Sequence, residues 1–300
     1  MQLSRKVLRN TIRSKVVGGI GNQLFCYFAG YSLAKDLNFN LVIDVSDIRN
    51  KRSVHNVTIE SLQLPGTFMS KQENPIFYSM KKLFLRLIRT FPKFEFLNNS
   101  YYSNVIGFDK NLSKITRSVK LNGYFQTYKY FYKHKEEVNP IKMKAESDWY
   151  KNTLSTLQKS NFISVHVRRG DYQNLTNEYG LLGQDYYRKA LKMLDDIAVH
   201  GRIVVFSDDI VKAKQLLLGI LPSNTYWVDP PITVSPVESL MLMTKASANI
   251  IANSTYSWWG AALNTKANTV IAPAKWFRGM EDPQDIYPPD WHLVESFWET

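Results

Sequence analysis

From residue 162 to residue 272 the chain alternates short, β-branched apolar runs with longer stretches of helical periodicity. FISVHV at 162–167, RIVVF at 202–206, a short run at 225–228, NIIA at 249–252 and NTVIA at 268–272 read as strands. Between them lie predicted helices at 184–200 (apolar Tyr187, Ala190, Leu191 and Leu194), 209–219, 236–246 and 256–264. Such alternation admits little besides a parallel sheet covered by helices on both faces. Ligands then belong outside the carboxyl ends of the strands. The first half opens the same way, with a strand at 15–17, a glycine-rich turn, a helix at about 22–37 and a strand at 41–45. A strand at 118–124 and a helix from Tyr128 follow, and a polar helix at 144–159 reads as the connector. The expectation is an α/β protein of two Rossmann-like domains facing across a cleft, 1–155 and 156–300, which suits a chain of 300 residues.

Several functional classes are excluded early. The single cysteine, Cys26, rules out an internal disulfide framework and a cysteine-based zinc site, and points to a reducing compartment. The five histidines, His55, His134, His166, His200 and His292, form no HExxH or HxxxH pair. No apolar run approaches the roughly 18–20 residues that a membrane span requires. The basic opening, MQLSRKVLRNTIRSK, lacks the apolar stretch of a signal peptide or anchor. The predicted location is therefore cytoplasmic, the alternative being an excised catalytic part of something anchored. The net charge of +12 leaves three partners open: nucleic acid, a membrane surface, or an anionic small molecule.

Four segments carry candidate chemistry. Gly18-Gly19-Ile20-Gly21-Asn22-Gln23 joins a strand to a helix. Glycines there let a backbone approach a ligand, and the helix N-terminus offers unpaired N–H groups. Gly19, Gly21, Asn22 and Gln23 are the candidate contacts, and Asp44 is the nearest acidic residue for a ribose. At the end of FISVHV stands His166-Val167-Arg168-Arg169-Gly170-Asp171. Adjacent arginines at a strand end suit a diphosphate, because a guanidinium is permanently charged and bonds two oxygens at once. Asp171 can orient one of them. Ser207-Asp208-Asp209 follows RIVVF, either as a ligand contact or as a helix cap. Asn253-Ser254-Thr255-Tyr256-Ser257-Trp258-Trp259 follows NIIA, where hydroxyls at a helix start can cradle a phosphate or simply cap it. No Asp-x-Asp tripeptide is present to hold a divalent ion on a diphosphate.

Together, in this order, these segments resemble the α-1,2-fucosyltransferases of glycosyltransferase family 11 in their bacterial form. GGIGNQLF, HVRRGDY, IVVFSDDI and IIANSTYSWWGAALN are each similar to a family block, as is NGYFQTYKYF at 122–131. The resemblance implies a GT-B-type fold, GDP-fucose as donor, no metal or other cofactor, and inverting transfer to the 2-hydroxyl of a galactose. It implies that Arg168 and Arg169 hold the donor diphosphate. Many members carry Thr-His-Gly where this chain has Glu178-Tyr179-Gly180, and an Asp where it has Ser239 beside Glu238.

The transition state of such a transfer is oxocarbenium-like, and the leaving diphosphate gathers charge. Removing one preorganised donor from such a site costs roughly 10²–10³ in rate, the loss expected for Arg169→Ala. Asp171 and Glu178 are the candidate bases. The alternatives are another GDP-sugar-dependent glycosyltransferase, a different fucosyl linkage, or an inactive nucleotide-sugar- or glycan-binding protein that would share the same site. Nucleic acid is disfavoured, because the basic residues are scattered and no recognition motif is present.

The acceptor expected from the resemblance is a galactose-containing surface glycan, lipid-linked during assembly. Residues 80–91 (MKKLFLRLIRTF) place Met80, Leu83, Phe84, Leu87, Ile88 and Phe91 on one helical face, with Lys81, Lys82, Arg86 and Arg89 mainly opposite. That helix either packs on its own domain or contacts a membrane. With Arg5, Lys6, Arg9, Arg13 and Lys15 it suits a peripheral site on the inner face of the cytoplasmic membrane.

Overall fold

The structure is a computed structural model that describes residues 10–49, 55–70, 99–138, 141–170, 173, 176–267 and 269–299. The amphipathic 80–91 segment, Arg5, Lys6, Arg9 and Asp171 lie outside the described residues. The described residues divide into two compact units. One is drawn from Met1–Glu60, Leu64–Glu137 and Gln284–Ile286, the other from Ser61–Gln63, Val138–Pro283 and Tyr287–Thr300.

The first unit is built on a five-stranded sheet. Its strands are β1 (Thr11–Lys15), β2 (Asn40–Asp44), β3 (Thr67–Met69), β4 (Ser100–Tyr102) and β5 (Val119–Asn122). The order is β3-β2-β1-β5-β4, every pair parallel. The first strand was expected at 15–17; it occupies Thr11–Lys15 and is the middle of the sheet. Its TIRSK sequence reads as a basic surface because Arg13 and Lys15 interrupt the apolar pattern. Neighbouring carboxylates take up both charges: Asp44 accepts from Arg13 at 2.7 Å and from Lys120 at 2.9 Å, and Lys15 pairs with Asp47. Burial alone would raise the Asp44 carboxyl. Lys120, the Ser46 amide and Arg13 overcome this and hold it well below the usual range. Arg13 and Lys15 are thus ion-paired within the sheet, which corrects their assignment to a membrane-facing patch. Asp44 likewise is a structural anion, not a ribose contact.

Helix α1 (Ile20–Leu37) covers this sheet and is buried for most of its length. A Cβ at Gly30 would meet the Ser14 side chain at 2.5 Å, so glycine lets the helix pack directly on β1. The helix stops at Asn38, whose left-handed φ of 53° suits asparagine and whose N–H bonds back to Ala34 and Lys35. Among the described residues the unit also carries three short α-helices: α2 (Ser46–Arg49), α3 (Lys129–Tyr132) and α4 (Lys135–Val138). Phe125 has φ 52° and is the one bulky side chain with positive φ among the described residues. Such a residue costs about 1–3 kcal/mol and persists only where its surroundings hold it.

The second unit carries a six-stranded, all-parallel sheet in the order β11-β10-β9-β6-β7-β8. The strands are β6 (Phe162–Val167), β7 (Arg202–Ser207), β8 (Tyr226–Val228), β9 (Ala248–Ile250), β10 (Thr269–Pro273) and β11 (His292–Val294). Its helices are α5 (Asp148–Leu157), α6 (Gln184–Asp196), α7 (Ile210–Leu216), α8 (Pro236–Met243) and α9 (Thr255–Ala262). All six residues of β6 are buried, as a central parallel strand requires. Ile163, Val165, Val167, Tyr186, Tyr187, Ala190, Leu194, Val205 and Ile250 form the centre of its core. Each buried valine, leucine or isoleucine among them contributes about 1.5–3 kcal/mol by leaving water. Trp258 and Trp259 also lie in the core, fully buried with ring centroids 4.8 Å apart.

Helix α5, expected to connect the two halves, belongs to the second unit. Ser147 caps it by accepting the Tyr150 N–H at 3.1 Å, while its hydroxyl donates to Glu238 on α8. Among the described residues no helix is long and apolar enough to cross a membrane.

Candidate active site

Both sheets reverse strand order at one point, between β1 and β5 in the first and between β6 and β9 in the second. Such reversals open a crevice at the carboxyl ends of the strands. The four predicted segments leave β1, β6, β7 and β9 there or one strand away.

At the end of β6 the two arginines separate. Arg168 is half-buried and its guanidinium pairs with Asp208 at 2.8 Å. Arg169 is buried at 3% exposure. Its guanidinium donates to Glu299 at 2.9 Å and to the Leu182 carbonyl at 2.8 Å. Asp208 also accepts the Arg169 backbone N–H at 2.8 Å, so one carboxylate holds the turn by backbone and by side chain. Gly170 makes this approach feasible, since a Cβ there would lie 2.3 Å from Asp208 Oδ2. The neighbouring Asp209 is the helix cap, accepting the Lys212 N–H at 3.0 Å. Ser207 Oγ bonds the Asp209 backbone N–H and carbonyl, both at 3.0 Å.

His166 is buried, 5.6 Å centroid to centroid from the Tyr256 ring. Burial, with the Arg168 charge beside it, pulls its pKa from 6.5 down to about 3, so the imidazole is neutral at physiological pH. Its buried Nδ1 has no hydrogen-bond partner among the described residues. Beyond β9, Ser254 precedes α9 without capping it through its side chain. Thr255 is half-buried at the helix start. Ser257 is fully buried and donates back to the Ser254 and Ala252 carbonyls.

The loop after β6 is anchored by Asn253, a candidate contact from the sequence, and by Trp298 and the segment 297–299, which no sequence signal singled out. Asn253 Nδ2 lies within hydrogen-bonding distance of the Tyr179, Gly180 and Trp276 carbonyls, closest to Tyr179 at 2.9 Å. Gly180 has φ 75°, and a Cβ there would strike the Trp298 ring at 2.5 Å. The segment 297–299 runs alongside: Gly183 N–H donates to Phe297, and Glu299 N–H donates to Leu181 at 2.7 Å. Glu178 lies exposed in this loop, its carbonyl accepting from the Arg278 and Gly279 N–H groups.

In the first unit the glycine turn is closed by amides. Gln23 is fully buried. Its Nε2 donates to the Gly18 and Asn56 carbonyls, both at 2.8 Å, and its Oε1 accepts from Thr58 and Ile59 at 3.2 and 3.1 Å. Gly18, at φ 70°, leaves 2.8 Å between a would-be Cβ and Asn22 Nδ2. Asn22 Oδ1 accepts from Gln126 Nε2 at 2.9 Å, joining this turn to the segment that leaves β5. Gly19 and Gly21 stand at the cap and in the first turn of α1. Burial pushes the Cys26 thiol up to about 12, so it is no nucleophile.

The family model described as Glycosyl transferase family 11 matches residues 77–295. The chain belongs to glycosyl transferase family 11. Within that family's reach, it is 31% identical over 302 residues to the Escherichia coli alpha-1,2-colitosyltransferase, covering 94% of this chain and 98% of that protein. It is 33% identical to the O-antigen biosynthesis glycosyltransferase WbnK of Escherichia coli, over 87% of this chain and 93% of that one. Among solved structures, the NodZ alpha-1,6-fucosyltransferase soaked with GDP-fucose superposes with a TM-score of 0.52 at 11% identity, over 88% of this chain and 95% of that one. The fold is of the GT-B type, with two parallel-sheet α/β units, and the chain is a glycosyltransferase.

For a family 11 enzyme the site divides into two groups. His166, Arg168, Asp208 and Thr255 stand at the reversal of the second sheet with chemistry to offer. Gln23, Arg169, Ser257 and the Asn253 amide nitrogen, expected as ligand contacts, are the second group. Each is spent on internal hydrogen bonds. Sequence spacing marks where a polar residue sits, not which way its hydrogen bonds run.

Proposed function

We propose that the chain transfers L-fucose from GDP-fucose to the 2-hydroxyl of a galactose in an O-antigen-type surface glycan, with inversion and without a metal ion. The carrying observation is the Arg168–Asp208 pair at the end of β6. Asp208 fixes one guanidinium at the crevice, while Arg169 is withdrawn to hold the turn. A fixed cation there binds the donor diphosphate and stabilises the charge it gains on leaving. The neutral His166 offers one further hydrogen bond through Nδ1. Thr255 and the N–H groups opening α9 add donors to the same anion. The galactose hydroxyl attacks in line, and its proton passes to Glu178 or Asp171.

The colitosyltransferase relative supports a second donor, GDP-colitose, which differs from GDP-fucose by one hydroxyl on the sugar. Incubating the chain with each donor and a panel of galactosides, with chelator present throughout, separates the readings. An α-1,2-fucosyl product identified by NMR is expected. Transfer from GDP-colitose alone moves the donor assignment, and loss of transfer with chelator removes the metal-free step. Full activity in both Glu178→Gln and Asp171→Asn removes both as bases.

A further inference from the structure

We infer that Glu299 is a positioning residue of the donor turn: it outcompetes the diphosphate for the Arg169 guanidinium, so that Arg168 alone meets the donor and GDP is let go after transfer. The inference rests on the glycosyl-transfer reading above. Glu299 reaches the turn through the segment 297–299, which is tied to the loop between β6 and α6. The Gly183 N–H donates to the Phe297 carbonyl at 2.6 Å, Leu182 and Trp298 form an antiparallel bridge, and the Glu299 N–H donates to the Leu181 carbonyl at 2.7 Å. The Arg278 guanidinium donates to the Glu299 carbonyl at 3.0 Å. These contacts fix the Glu299 backbone. Its carboxylate then meets the Arg169 guanidinium at 2.9 Å, while the Leu182 carbonyl takes the other end of the fork.

The pair is unequally exposed, the Arg169 side chain at 4% and that of Glu299 at 39%. A buried guanidinium stripped of its carboxylate is strongly uncompensated and turns to the next anion within reach. The donor diphosphate is that anion. Arg169 adjoins Arg168 in the chain, and Asp208 binds both, one by its backbone N–H and one by its guanidinium, each at 2.8 Å. Transfer breaks the bond between the anomeric carbon of the sugar and the terminal phosphate oxygen, and the electron pair stays on that oxygen. GDP therefore leaves more anionic than the donor arrived. A second guanidinium on the diphosphate would hold the product more tightly than the substrate and slow each turnover. Glu299 prevents this by keeping Arg169 as a cross-link within the turn.

The test measures GDP binding to the full chain by calorimetry, together with transfer kinetics. Glu299→Gln keeps an amide oxygen for Arg169, but a neutral amide competes poorly with a diphosphate for a guanidinium. The variant is expected to bind GDP about tenfold more tightly, the gain of one charge-assisted contact. Its kcat and its donor KM should both fall, and its galactoside KM should stay in place. Glu299→Asp, with the charge kept one methylene short, should lie between Glu299→Gln and the unmutated chain. In an Arg169→Gln background there is no guanidinium to release. Glu299→Gln should then change GDP affinity less than about twofold, since direct repulsion from a part-exposed carboxylate is screened. A residue that merely supports the fold would leave GDP affinity unchanged or weaken it, and either result overturns the inference. So does the full tenfold gain in the Arg169→Gln background. Should a glutamine variant not fold, Glu299→Asp decides: tighter GDP supports the inference, equal or weaker GDP overturns it. An unmutated chain that binds no GDP removes the donor reading and the inference together. One that binds GDP with an affinity unmoved by Glu299→Gln removes the inference alone.

Discussion

The two sheets solve one topological problem with different chemistry. Each reverses strand order at its first strand, and each sends a glycine-bearing turn out of that strand. In the second unit the turn after β6 sets the Arg168 guanidinium against Asp208, beside a neutral imidazole whose Nδ1 has no hydrogen-bond partner among the described residues. In the first unit the turn after β1 is closed by amides, with Gln23 saturated and Asn22 joined to Gln126. The ionic groups at that sheet are paired internally, Arg13 and Lys120 sharing Asp44 and Lys15 meeting Asp47. The proposed function assigns the nucleotide donor to the turn with the oriented guanidinium and the neutral glycan to the turn closed by amides. A transferase that draws sugar from a nucleoside diphosphate and delivers it to a glycan needs this asymmetry.

Breaking the charged turn should have the largest effect. Arg168→Ala is expected to lower turnover by roughly 10²–10³ while the melting temperature stays near that of the unmutated chain. Near-normal turnover in a folded variant would erase the difference between the units. Arg169→Ala should separate from it. It abandons Glu299, the Leu182 carbonyl and a buried volume, so about 2–4 kcal/mol of stability is expected to go, read by denaturant unfolding. A fully stable Arg169→Ala with lost donor binding would return the diphosphate to both arginines. In the first unit, Gln23→Leu leaves two buried carbonyls and two amides without partners. About 2–3 kcal/mol should be lost, each stranded group costing on the order of 1 kcal/mol or more and some recovering water. Donor affinity should be unaffected, and a selective loss of it would contradict the neutral assignment.

The sequence made the second unit legible and the first only partly so. The strands FISVHV and RIVVF lie where their apolar runs put them, because a strand buried on both faces must be apolar throughout. β1 was displaced, because TIRSK hides its pattern behind charges that only a tertiary partner, Asp44, explains. The same limit applies to the site. HVRRGD reads as an anion site by residue type. The proposal's choice between the two arginines rests on Glu299, 130 residues from Arg169 in the chain, and no local signal joins them. A helix cap was legible for one of Asp208 and Asp209 without saying which; Asp209 is the cap, and Asp208 is the arginine partner at the turn of Gly170. The backbone of Phe125 was illegible, since a left-handed phenylalanine has no sequence signature.

The smallest effect probes the charged turn through pH. His166 has its pKa lowered from 6.5 to about 3 by burial and then by Arg168. Between those values the unfolded chain binds a proton at this site and the folded chain does not. Stability must therefore fall as pH drops from about 6.5 towards 3, with a slope of at most about 1.4 kcal/mol per pH unit from this group. Above 6.5 both states are neutral there and the contribution is flat. His166→Gln keeps a neutral, hydrogen-bonding side chain of similar reach and removes the titration. Its stability, measured by urea unfolding from pH 7 to pH 4, should decline less steeply than that of the unmutated chain. A double variant with Arg168→Ala should lie between them when compared with its own His166→Gln background, because the lesser cause of the shift has gone while burial remains. Identical slopes with and without His166 would mean that the imidazole takes up its proton in the folded state. The end of β6 would then be a doubly cationic site, and the contrast with the closed, neutral turn of the first unit would grow sharper by one charge.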